Sequence, residues 1–182
     1  MMSSTNKADR RLYRTSLSAM FLAIALVLPF LTGQIPQIGS MLCPMHLPVL
    51  LCGYFVGPWN ALLVGFTVPI LRSFLFGMPP IMPNGLAMAI ELAAYGSIAG
   101  WLYQAFPKKK VFIYLSLILA MIGGRLIWGT AKALLLGVTG AAFGWEAFLA
   151  GAVLNSIPGI IVQIVLVPIL VMVLKKNVER KG

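Results

Sequence analysis

Five ionisable side chains interrupt runs that are otherwise apolar: Arg72, Glu91, Arg125, Lys132 and Glu146. A charge at membrane depth is costly, so it pairs, snorkels to the interface or meets a ligand. The densest group is Gly123-Gly124-Arg125-Leu126-Ile127-Trp128-Gly129-Thr130-Ala131-Lys132. At about 100° per helical residue, Arg125, Trp128 and Lys132 share an arc of about 60° on one helix face. An indole between two cations can stack on an organic molecule while the cations hold its anionic group. The glycines beside them let a neighbouring helix approach closely.

These residues belong to a chain of 182 residues that is 60% apolar and 10% charged. A water-soluble domain of this size cannot bury so much apolar surface, so the solvent is a bilayer. The net charge of +10 comes from short basic clusters beside apolar runs. That pattern marks membrane topology and argues against nucleic acid as a partner.

The apolar runs cover about 16–32, 44–57, 59–76, 85–106, 111–137 and 147–174, six candidate spans. The second and third are short and are separated by Gly57-Pro58-Trp59-Asn60, so they read as a compact hairpin. Continuous rather than alternating apolarity predicts helices, not a β-barrel. The expected fold is therefore an all-α membrane protein, one integral domain over residues 1–182.

Lys7, Arg10, Arg11 and Arg14 precede the first run; Lys108, Lys109 and Lys110 follow the fourth; Lys175, Lys176, Arg180 and Lys181 follow the sixth. With six crossings the clusters share one side, the cytoplasmic one by the positive-inside rule, together with both termini. Loops 33–43 (GQIPQIGSMLC) and 77–85 (GMPPIMPNG) then face outward and carry no charge. They are either tight connections or lids over a pocket.

On this frame Arg72, Glu91, Lys132 and Asn155 reach one level of the outer leaflet, Arg72 roughly 8 Å deep. Arg125 lies deeper, near the level of Gln163, while Asn84 and His46 stand beside the outer loops. One acid among three cations leaves a surplus of about two positive charges, and low dielectric favours an anion there. The expected ligand is a small organic acid, held by Arg72, Glu91, Arg125, Trp128, Lys132 and Asn155, with Asn84 and His46 near the lids. Plainer readings stand beside these. Arg72 and Glu91 can form a structural ion pair, Lys132 can snorkel, Arg125 can pack against Gln163, and Glu146 beside Trp145 reads as an interfacial anchor.

A single histidine and no carboxylate pair at catalytic spacing predict neither a metal site nor a catalytic residue. Cys43 and Cys52 lack CxxC spacing and read as small apolar side chains. A solitary secondary transporter or channel for a small organic anion is the rival class. It needs a polar path through both leaflets, and the inner halves of the second to fourth runs offer few ionisable groups.

The chain resembles the substrate-binding S components of energy-coupling factor (ECF) transporters. The resemblance rests on the six runs, the uncharged first outer loop and Ala19-Met20-Phe21-Leu22-Ala23 in the first run. Two further stretches, MHLPVLLCGYFVGPWNALLVG (45–65) and GRLIWGTAK (124–132), are similar to a branch that includes pantothenate carriers. It implies that Ala19 and Ala23, small residues on one face, dock on a transmembrane T component. It also implies capture of a vitamin outside a prokaryotic plasma membrane and release inside, driven by two separate ATPases. ATP is then used by those subunits and this chain needs no cofactor, in keeping with the absence of a GxxxxGK[ST] loop. Pantothenate is the ligand expected first. Nicotinate and biotin fit the charge equally, and a queuosine precursor is a further family possibility.

Overall fold

The computed structural model describes residues 2–32, 43–107, 109–138, 144–152 and 156–179. Every element among them is helical. Helix α1 (Met2–Val27) runs into a 3-10 turn, Leu28–Thr32. Then follow α2 (His46–Phe55), α3 (Pro58–Phe76), α4 (Leu86–Ala105), α5 (Lys110–Val138), α6 (Trp145–Ala152) and α7 (Ile157–Glu179). Among the described residues five helical stretches are long and apolar enough to cross a bilayer: Ala8–Leu31, Pro58–Phe76, Ile81–Ala105, Lys110–Val138 and Ile157–Lys175.

Two of the expected spans take a different form. The run 44–57 becomes the ten-residue α2, about 15 Å long against a hydrocarbon core of about 30 Å. It does not cross on its own. Eight of its residues are buried, because α1, α3, α4 and α7 all pack around it. Irregular backbone on either side is tolerable at membrane depth only under such cover. The run 147–174 divides into α6 and α7. Pro158 accounts for the restart, since proline suits the first turn of a helix and restricts the residue before it. Asn155 and residues 33–42 of the first loop lie outside the described residues.

Local chemistry sets the other boundaries. Gly57, at φ 123°, adopts a backbone that side chains avoid, and Pro58 follows at the start of α3. Gly77, at φ 69°, ends α3 in the left-handed region and returns its N–H to the Ser73 carbonyl at 3.0 Å.

Helices α2, α4, α5 and α7 form a ring. Each packs on two neighbours, α2 on α4, α4 on α5, α5 on α7 and α7 on α2, while the diagonal backbones stay apart. Helices α1 and α3 flank it against α2, and α3 also lies along α4. Side chains fill the ring's axis. Near one end Tyr54 hydrogen-bonds Ser116 across the diagonal at 2.9 Å, Tyr103 meets Lys175, and Asn60 donates to Ser18 at 2.9 Å. Residues 10–14, 109–110 and 175 adjoin this end, which is therefore the basic one. Leu92, Leu117, Val167 and Val171 are fully buried between the helices. The remaining charged side chains of the spans lie toward the far end.

Candidate functional site

The site starts from one face of α4, where Ala87, Glu91 and Tyr95 follow each other at one-turn spacing and are all buried. In so apolar a helix, Glu91 is 1% exposed and needs a partner. Arg125 on α5 supplies it, with Nη1 2.8 Å from Glu91 Oε1. His46, in the first turn of α2, points Nε2 at the same oxygen from 3.5 Å. Arg125 Nη2 also donates to Cys43 Sγ at 3.5 Å.

Gly124 explains how Tyr95 joins this group. A Cβ there would lie 2.2 Å from the tyrosine ring, so only a bare backbone lets the ring pack on α5 beside Arg125. The ring also meets His46 edge-on, centroids 5.0 Å apart. Three helices and Cys43 thus converge on one buried ion pair. Its two charges offset each other, and removing either would strand the other in low dielectric.

Several polar atoms of this region have no hydrogen-bond partner among the described residues: His46 Nδ1, Arg125 Nε and both amide atoms of Gln163. Buried polar groups are normally satisfied. Such exceptions call for partners beyond the described residues, with water or a bound molecule among them.

Trp128 and Lys132 form a second, shallower group one to two turns along α5. The Lys132 Nζ stands 4.8 Å from the Trp128 ring centroid, a cation–π distance. Trp128 packs with Ala87, Leu135 and Phe148. Bare glycines admit both rings: a Cβ on Gly151 would lie 2.6 Å from Trp128, and one on Gly129 2.2 Å from Phe148. The shared helix face read from the sequence is present, but its two cations take different partners. Arg125 turns to Glu91, and Lys132 lies over the indole.

Arg72 occupies a different place. It is 4% exposed and donates from Nη1 to the Leu26 carbonyl at 2.9 Å. Its guanidinium lies 5.2 Å from the Phe30 centroid and 5.4 Å from that of Phe76. The Arg72–Glu91 pair weighed from the sequence does not form, because the end of α1 lies closer to Arg72 than α4 offers a carboxylate. The expected surplus of two cations around Glu91 is corrected by the same geometry: Arg125 is compensated and Arg72 faces α1.

Asn84 is exposed on the irregular turn Ile81–Gly85. That segment is tied to α3 by the Ser73 hydroxyl, shared between the carbonyls of Pro69 at 2.8 Å and Pro79 at 2.6 Å. Glu146 is exposed in the first turn of α6 beside exposed Trp145, a position where a carboxylate also suits the helix dipole. Ala19 and Ala23 are exposed on α1, together with Met20, Ile24 and Val27. Among the described residues no three His, Cys, Asp or Glu side chains gather as a metal ion would require.

Three contributors to the central group were not singled out from the sequence. Cys43 reads from the sequence as a small apolar residue, Gln163 only as a packing partner of Arg125, and Tyr95 carries no reading at all. The i, i+4 spacing of Glu91 and Tyr95 was an available signal. The meeting of Cys43 with Arg125 was not, since it depends on how the ring closes.

No curated protein and no solved structure matches the chain. The family model described as the ECF transporter, substrate-specific component, matches residues 15–171. That stretch runs from the basic end of α1 through most of α7 and includes the whole of the buried polar group. The chain belongs to the substrate-specific components of ECF transporters.

Proposed function

We propose that this subunit captures a small carboxylated vitamin, with pantothenate as the first candidate, and releases it inside after docking on a T component and two ATPases. As a substrate-specific ECF component it is a multi-pass membrane subunit of a transporter, a substrate binder rather than an enzyme. Family membership also implies the T component and ATPase partners. The finer reading is ours. The whole chain, 1–182, is one domain in a prokaryotic plasma membrane. It makes six crossings with both termini cytoplasmic, counting α2 with the loop before it as one. ATP is consumed on the separate subunits and this chain carries no cofactor.

The observation that carries the reading is the buried group of Glu91, Arg125, His46 and Tyr95 with its unpartnered polar atoms, directly below Trp128 and Lys132. In this reading Lys132 holds the carboxylate and Trp128 the apolar stem, while Glu91, Arg125 and His46 hydrogen-bond the body of the molecule. Asn155 and Asn84 complete the rim, and Arg72 steadies it through α1. Nicotinate and biotin satisfy the same charge. A queuosine precursor, which is an amine, needs a second buried acid, and Glu91 already faces Arg125.

Mass spectrometry of the small molecule that co-purifies with the detergent-solubilised subunit tests the ligand class directly. Lys132→Ala should weaken pantothenate binding about tenfold to a hundredfold, the loss of one charge-assisted hydrogen bond, while its carboxamide analogue is little affected. Equal losses for both would remove the carboxylate assignment. The competing reading, a solitary transporter or channel for a small organic anion, requires uptake in liposomes by this chain alone. Uptake only with the T component and ATPases present excludes it.

A further inference from the structure

Helix α6 takes no part in closing the ring. Among the described residues it packs on α5 and on no other helix, and Trp145, Glu146 and Leu149 are exposed on it. Its contact with α5 is reciprocal. The Phe148 ring of α6 enters the place where Gly129 of α5 lacks a side chain, and the Trp128 indole of α5 enters the place where Gly151 of α6 lacks one. Each ring fits because the opposite helix presents bare backbone. Ser156 ties this end of α6 down, its hydroxyl donating to the Gly151 carbonyl at 3.0 Å.

The contact continues on both sides. Trp145 stacks on Phe148 with centroids 5.3 Å apart, Phe148 lies 6.3 Å from Trp128, and the Lys132 ammonium stands 4.8 Å from the Trp128 centroid. A chain of three rings thus ends on a cation. Of the apolar residues around Trp128, Ala87 of α4 offers a single methyl and Leu135 belongs to the same helix as the indole. The large contact from another element is the one with α6.

Where the indole stands decides where the ammonium stands. A lysine side chain is long and has much rotamer freedom to lose on binding. A cation on the face of a held ring has already given up part of that freedom. A receptor group fixed in advance binds its ligand more tightly than a mobile one.

We infer that α6 is a positioning element for the carboxylate: Phe148 and Gly151 hold the Trp128 indole where its face carries the Lys132 ammonium, and so fix the point at which the ligand's acid group is received. The inference rests on the reading of Lys132 as the partner of the carboxylate. Phe148 and Gly151 act through Trp128 and Lys132 and need not touch the ligand themselves.

The test uses the detergent-purified, full-length subunit with pantothenate and its carboxamide analogue as probes. Phe148→Ala empties the notch at Gly129, and Gly151→Ala sets a methyl 2.6 Å from the indole. Each should lower pantothenate affinity about tenfold and leave the carboxamide little affected, since what is lost is the placing of a charge. In a Lys132→Ala background Phe148→Ala should cost nothing further, because residues that act through one another are not additive. Equal losses for acid and carboxamide, or the same loss with and without Lys132, would overturn the inference and leave α6 a structural cover.

Fluorescence of the ligand-free protein reads the same inference without a substrate. With Trp59, Trp101 and Trp145 replaced by Phe, Trp128 is the only indole left. Lys132→Met should then shift its emission where Phe148 is present and have no effect in Phe148→Ala, whose ammonium has already left the ring. The same response in both proteins, a shift or none, would show that α6 does not place Lys132. If the wild-type protein binds none of pantothenate, nicotinate and biotin, the substrate assignment above fails, and the emission of Trp128 alone decides the role of α6.

Discussion

Glu91 is the residue on which the others depend. Its carboxylate is 2.8 Å from Arg125 and 3.5 Å from His46, within a ring that excludes bulk water. Breaking a buried pair from one side is expected to cost about 3–5 kcal/mol, because the surviving charge is left uncompensated. Glu91→Gln should therefore lower the melting temperature of the purified subunit markedly, and the double variant Glu91→Gln with Arg125→Met should recover much of it. A double variant as unstable as the sum of the two singles would mean that the two side chains do not act as a pair. The sequence alone made Glu91, Arg125 and His46 visible but not their pairing, and it left Tyr95 unmarked. Helical phase puts Arg125, Trp128 and Lys132 on one face, yet phase says nothing of which neighbour each side chain meets. That depends on Gly124, whose missing Cβ brings Tyr95 onto α5, and on the first turn of α2, which moves His46 from a presumed rim position into the centre.

At the scale of elements, hydrophobic run length located the long helices well and failed where burial replaces lipid. Residues 44–57 are as apolar as a span, but the apolarity serves packing against four helices rather than contact with acyl chains. Run length cannot tell these apart, since both environments select the same side chains. Glycines carry the missing information. A Cβ on Gly65 of α3 would stand 2.5 Å from the Leu92 carbonyl oxygen of α4, a backbone atom, whereas one on Gly137 of α5 meets nothing within 4 Å. Gly65→Ala should thus force α3 from α4 and lower the melting temperature by several degrees. Gly137→Ala should be neutral or slightly stabilising, since alanine is favoured over glycine by up to about 1 kcal/mol in a helix. Equal effects from both would refute the close approach of α3 to α4.

For the whole molecule, the two ends of the ring have different chemistry. The basic end is closed by cross-ring contacts of two tyrosines, Tyr54 with Ser116 and Tyr103 with Lys175, and the far end carries the polar group and the turn Ile81–Gly85. A molecule with its vacant hydrogen-bond positions at one end and a closed other end is suited to capture and needs an external agent for release. On the proposed function the exposed face of α1 meets that agent: Ala19 and Ala23 lie on the surface among Met20, Ile24 and Val27, while the same helix holds Arg72 through Leu26. Small residues let another helix come near enough for backbone contact. Ala23→Trp should accordingly abolish uptake in cells that express the T component and ATPases, and should stop the subunit from co-purifying with them. Binding of the same small molecule by the isolated subunit should be unchanged, because Ala23 is exposed on the outside of the ring. If isolated Ala23→Trp loses binding as well, this face supports the fold rather than the partner, and the docking surface must be sought on another helix.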